Sequence, residues 1–271
     1  MNTLTAAVAS EFRKISSTRL WWILALALFL YVAAMAGGLG ALLGATDAGL
    51  IGEDVANTGG MPLDPTLIYT FASSIGFVFP VIFGAIMVTQ EFRHKTVNPT
   101  FLATPKRGVS LTAKVITMFV WGGILGLIGT IGSVGVGAAV LGGFGADTLL
   151  GDSETWAIIG RMILALALWG AIGTGLGALI PSQIASIAVV IAFTQFVEPL
   201  LRFAATLADW TAEVGNFLPG AASDALVGAS FYSVIAPGTG LEWWQGALVL
   251  AAIAAATTIG GYFVSWRRDI T

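Results

Sequence analysis

Gln90-Glu91-Phe92-Arg93-His94-Lys95-Thr96-Val97-Asn98-Pro99-Thr100-Phe101-Leu102-Ala103-Thr104-Pro105-Lys106-Arg107-Gly108, continuing through Val109 to Lys114, lies between two apolar segments that carry no charge. It holds five of the twelve Lys and Arg residues and the only histidine. Each flanking segment reaches the roughly 20 apolar residues needed to cross a bilayer. The stretch therefore reads as a polar elbow between two membrane spans, and it sets the fold class as an all-α integral membrane protein.

Composition agrees. Of 271 residues 56% are apolar and 10% charged, against about 25% charged in an ordinary globular chain. The absence of Cys removes disulfides and thiolate chemistry, and a single His removes an imidazole cluster for a metal. The net charge of -3 is segregated by sign along the sequence, so positions matter more than the sum.

Six segments qualify as spans: 20–44, 67–89, 115–145, 156–180, 183–201 and 243–266. The fifth is the weakest, because Glu198-Pro199 interrupts it and predicts an irregular end. Residues 1–19 place Leu4, Val8, Phe12 and Ile15 at helical spacing with Arg13, Lys14 and Arg19 elsewhere, the pattern of a helix lying in the membrane interface. A cleavable signal peptide is the rival reading, since Ala34-Met35-Ala36 imitates a cleavage site. Its apolar region is too long for that.

The loop 45–66 carries Asp47, Glu53, Asp54 and Asp64 with no basic residue, and 146–155 repeats the pattern with Asp147, Asp152 and Glu154. Ten of the twelve basic residues fall on the opposite side if six spans alternate. The positive-inside rule then puts both termini and the elbow in the cytoplasm. Trp21, Trp22 and Trp266 are expected at the inner interface, and Trp156, Trp243 and Trp244 at the outer one. Residues 202–242 are acidic and partly apolar, and are expected to form short extracellular or re-entrant helices. A seventh span there is disfavoured by Asn216, Pro219, Asp224 and Pro237.

Gly122/Gly126 and Gly173/Gly177 are small-residue pairs that let helices approach closely, within one subunit in preference to between subunits. Arg161 lies about five residues inside its span, roughly 7.5 Å deep. Snorkelling, or pairing with Asp152 or Glu154, is the simpler expectation for it, and a pathway contact the sharper one. Glu198 and Arg202 are four apart and suit a helical ion pair, with an exit gate as the alternative.

There is no Gly-x-x-x-x-Gly-Lys-Ser/Thr loop, no His-Glu-x-x-His and no Gly-x-Ser-x-Gly, so a catalytic site in this sequence is not expected. In the elbow, Asn98-Pro99 predicts a helix start, with Asn98 as cap and Pro99 as the first helical residue. Pro105 predicts its stop. Phe101 and Leu102 are the large apolar groups of this short helix, and Ser110 is positioned to cap the third span.

Glu91-Phe92-Arg93-x-x-Thr96-Val97, then Leu102 to Arg107 and Ala113-Lys114, resembles the stretch after the second span in permease subunits of type-2 ATP-binding-cassette (ABC) transporters. Glu11-Phe12-Arg13-Lys14 before Trp21-Trp22 is similar to that family's interfacial connecting helix, and Leu218 to Ala221 to its small extracellular helices. The resemblance implies six spans and a cytoplasmic coupling helix at 99–104 that seats in a separate ATPase subunit. By position it assigns Glu91, Phe92, Arg93, Thr96, Pro99, Phe101, Leu102, Lys106 and Arg107 to ATPase coupling, and Glu11, Phe12, Arg13 and Lys14 to the connecting helix. Two ATPase copies that bind the ATP and Mg, a second permease half, an exporter-type direction and a bacterial plasma (inner) membrane are likewise implied. No nucleic acid is. A secondary carrier or a non-transporting membrane scaffold is the competing class, and the scarcity of carboxylates inside the spans weighs against the carrier.

Overall fold

Hydrocarbon leaves unpaired backbone groups unsatisfied, so long apolar segments must become helices. The computed structural model is 84% helix, with no strand among the described residues. The structure describes residues 3–50, 64–103, 106–205, 209–230 and 240–267. The acids Glu53 and Asp54, the Pro105 stop, Phe231-Tyr232 and Pro237 lie outside them.

The helices are α1 (Thr3–Ser16), α2 (Leu20–Asp47), α3 (Pro65–Tyr69), α4 (Phe71–Ser74), α5 (Val78–Arg93) and α6 (Val97–Ala103). There follow α7 (Arg107–Gly143), α8 (Ser153–Leu179) and α9 (Gln183–Ala205), then α10 (Asp209–Gly215), α11 (Pro219–Val227) and α12 (Trp243–Trp266). Five of them, α2, α7, α8, α9 and α12, are long and apolar enough to cross a membrane. The chain is a multi-pass helical membrane protein.

The expected second span, 67–89, is not one helix. It is divided into α3, α4 and α5, with turns at Thr70 and at 75–77. Thr70 and Ser73 donate their hydroxyls to Leu67 O (2.8 Å) and Thr70 O (3.0 Å), offering the backbone an alternative to the helical ladder. The helix restarts so that Pro80 falls in the first turn of α5, where its missing N–H has no partner to lose. With 16 residues, α5 is about 24 Å long, shorter than the roughly 30 Å hydrocarbon core, and it is not among the helices long enough to cross a membrane.

The fifth segment departs the other way. α9 continues through Glu198-Pro199 to Ala205, because a π turn at Phe193–Val197 widens the backbone where Pro199 could not bond. The α7 helix also contains a π turn, Ile131–Gly135, and α12 ends in one, Tyr262–Trp266.

The molecule is assembled round α8, whose apolar window is 72% buried against 17% for α9 and α12. It packs on α5, α7 and α12. Both small-residue pairs serve this packing within the chain. A Cβ on Gly122 would stand 2.6 Å from Leu166 O, and one on Gly177 would stand 2.7 Å from Ala85 O. Trp169 stacks on Phe77 at 4.5 Å between ring centres and anchors the core.

Candidate functional site

The elbow folds into a braced surface. α5 ends in a Schellman motif: Thr96 N donates to Glu91 O (2.9 Å) and Lys95 N to Phe92 O (3.2 Å), with Lys95 left-handed at φ 56°. α6 then starts at Val97, one residue before the expected Asn98 cap, and Pro99 falls in its first turn. Likewise α7 begins at Arg107 with Lys106 at its N-cap, so Ser110 is a buried residue of the helix and not its cap.

Trp266 holds this region from below. Its side chain, expected at the inner interface, is fully buried within the chain. Phe92 and Phe101 both meet it edge-on, at 5.6 Å and 5.5 Å between centres. Its indole donates to Arg107 O (3.1 Å), while Arg107 lies 4.7 Å over the Phe101 ring and donates to Arg267 O (2.8 Å). Phe101 is thus turned inward. Its neighbour Leu102 is 83% exposed.

Beside this lies a group of four charges. Glu91 and Lys114, each 2% exposed, pair at 2.6 Å, and Lys114 also reaches Glu11 Oε2 at 2.9 Å. Lys14 completes the set with Glu91 and with Glu11 Oε1 (3.3 Å). Two anions and two cations cancel, which is the condition for burying them in weakly polar surroundings. Burial by itself lowers the Lys14 pKa, but Glu91 and Glu11 outweigh it and leave the ammonium above its ordinary value. Phe12 packs on Trp121 at 5.2 Å and fixes α1 along α7, while Arg13 stays exposed.

Six of the expected coupling residues therefore have internal partners. Glu91 is in the charge group, Phe92, Phe101 and Arg107 are round Trp266, Arg93 donates to Gln183 Oε1 (3.2 Å), and Thr96 closes the Schellman motif. Leu102 and Lys106 face outward. A groove of about 320 Å³ runs between α1, α6 and α7, lined by Ser10, Lys14, Pro99, Thr100, Ser110 and Ala113 among others. Lys114 is central to the site, although sequence reasoning placed it in the motif without giving it a role. Its position seven residues into a long apolar helix was the available signal.

At the opposite, acidic end Arg161, Glu198 and Arg202 converge on α11. Glu198, 3% exposed, accepts from Gly220 N (2.5 Å), Ala221 N (3.2 Å) and Arg202 Nε (3.3 Å) through Oε1. The expected Glu198–Arg202 pair is present, and Arg202 gains Asp224 at 2.6 Å. Arg161 lies 5.1 Å over the Trp243 ring instead of pairing with Asp152 or Glu154, and its guanidinium adjoins Gly228 just past α11. An anion at the first turn of α11 and a cation past its last complement the helix dipole.

Comparison with models of known protein families finds no match. Comparison with curated proteins finds none either.

Proposed function

We propose that this chain is the membrane subunit of an ATP-driven exporter and that α6 docks into a separate P-loop ATPase. The observation that carries the reading is the braced elbow. α6 is joined to α5 and α7 with almost no slack, Phe101 is wedged on buried Trp266, and Leu102 projects at 83% exposure. Such an element transmits a push to two long helices without a flexible linker in between. Arg93, His94 and Lys95 before α6 and Lys106 after it are exposed as Leu102 is, and this basic character favours an acidic rim on the partner.

The type-2 ABC resemblance supplies the rest of the proposal: two copies of this chain or of a related half, two ATPases carrying ATP and Mg, six crossings with α3 to α5 as the broken second, and cytoplasmic termini in a plasma membrane. Co-expression with a membrane-free P-loop ATPase tests it. Leu102→Asp is expected to abolish co-purification and stimulated ATP hydrolysis while the chain still folds. Full retention of both by that variant rejects α6 as the docking element.

A cation-coupled carrier is the second reading. It is favoured by Glu198, which is buried, and Asp224, which is half-buried, two carboxylates that both pair with Arg202 close to the broken helix.

A further inference from the structure

Where α7 begins and α12 ends, these two helices and the first turn of α1 leave an open pocket of about 680 Å³. Its two long walls meet at Gly108, where a Cβ would stand 3.8 Å from the Tyr262 ring. The lining divides by chemistry. Lys106 and Arg107 supply two positive charges, and no carboxylate joins them among the described residues that line the pocket. Leu4, Val109 and Tyr262 supply apolar surface. Arg107 donates to the carbonyls of Trp266 and Arg267, which fix the guanidinium without cancelling its charge, whereas Lys106 is exposed.

Depth and direction narrow the occupant. With 24 residues, α12 is about 36 Å long, enough to cross the roughly 30 Å hydrocarbon core with about a turn to spare. Tyr262 opens the last turn of that helix, which puts the pocket at the level where hydrocarbon gives way to headgroups. α7 leaves the elbow while α12 arrives at it, so residues after Gly108 and residues before Tyr262 run towards the middle of the bilayer. On α7, Thr112, Ile116 and Phe119 are all exposed and share one face by their spacing. On α12, Ile259 is exposed three residues before Tyr262. An apolar track therefore continues from the basic pocket along both helices.

We propose that this pocket binds the headgroup of one anionic glycerophospholipid. Lys106 takes the phosphate, Arg107 adds its fixed charge, and the acyl chains lie along α7 and α12 past Thr112 and Ile259. A soluble anion would meet the two cations but leave the apolar track bare. A zwitterionic lipid would bring a cation of its own against Lys106 and Arg107. The bound lipid would tie α1, α7 and α12 together beside the elbow. This site stands under either functional reading, since it concerns the chain alone and its test contains no ATPase.

The experiment titrates phosphatidylglycerol into the purified full chain in dodecyl maltoside at fixed pH and salt, and follows thermal unfolding. Phosphatidylcholine with the same acyl chains and soluble glycerol phosphate are the comparisons. A ligand bound only by the folded state raises Tm saturably. Phosphatidylglycerol is expected to do so, phosphatidylcholine weakly and glycerol phosphate not at all. Lys106→Gln should raise the half-maximal phosphatidylglycerol concentration about fivefold, the effect of one basic residue beside an anionic headgroup. Thr112→Trp fills the pocket from an exposed position and is expected to remove the response. Arg19→Gln takes an equal charge from another exposed position, at the start of α2, and should leave the response intact. If Thr112→Trp does not fold, Lys106→Gln decides. Equal responses to the two lipids overturn the site, as does a response undiminished in Lys106→Gln or in Thr112→Trp. A response weakened as much by Arg19→Gln also overturns it, assigning the effect to diffuse surface charge. A matching response to glycerol phosphate overturns the lipid, assigning the pocket to a soluble phosphate.

Discussion

Phe101 and Leu102 are neighbours on one seven-residue helix and face opposite ways. Phe101 meets the Trp266 ring edge-on at 5.5 Å, whereas Leu102 is 83% exposed. The division separates support from contact. Leu102→Asp should leave thermal stability within about 0.5 kcal/mol of wild type, as for other exposed positions. Phe101→Ala should lower it by about 2 kcal/mol, less than the 3–5 of a fully buried Phe because this ring is half-covered. Unfolding of both variants in one detergent checks the pair, and equal losses would refute the division of labour.

Lys114 is the most deeply enclosed cation of the elbow group. Lys114→Ala leaves Glu11 and Glu91 with Lys14 as their one remaining cation, an excess of one buried negative charge, and is expected to cost about 3 kcal/mol. Adding Glu91→Gln should recover part of the loss by removing that excess charge. A double variant as unstable as the single would show that the charges are independent, and a double-mutant cycle reads the difference.

The raised Lys14 pKa gives a pH signature. A group titrating higher in the folded state than its ordinary 10.5 binds its proton more tightly there. Its contribution to stability is complete below that value and is lost as pH rises through the folded pKa. The stability gap between wild type and Lys14→Met should therefore be constant from about pH 7 to about pH 10 and shrink above. A gap that widens at high pH contradicts the assignment.

Lys95 holds the left-handed position that closes α5, where a Cβ costs about 1–2 kcal/mol and glycine costs nothing. Lys95→Gly should stabilise the chain by about 1 kcal/mol. A loss of stability would mean that the Lys95 side chain contributes something its exposure does not suggest.

Much of this architecture was legible in the sequence because apolar length and flanking charge are local signals. The segment expected at 243–266 coincides with α12 at both ends, bounded by Trp243 and Trp266. Average hydropathy did not reveal the division of 67–89. The available cue was Pro80 nine residues beyond Phe71, with Ser73, Ser74 and Gly76 between. Helical spacing identified Ile15 as a buried face of α1 but not Glu11, whose partner Lys114 is 103 residues away. The same limit hid the turning inward of Phe101, since Trp266 belongs to a different helix. Tertiary pairing of charges and rings is invisible to periodicity.

Trp266 supplies the support of a surface translated long before it, 159 residues after Arg107. During synthesis the elbow emerges without that support, and gains it only when α12 has threaded into the bilayer. A soluble protein that recognises the braced form would thereby ignore half-inserted chains, and the order of translation would itself act as an inspection step. Ribosome-arrested chains stopped before α12 are expected to leave Phe92 and Phe101 accessible to proteases, and release of the finished chain to close them off.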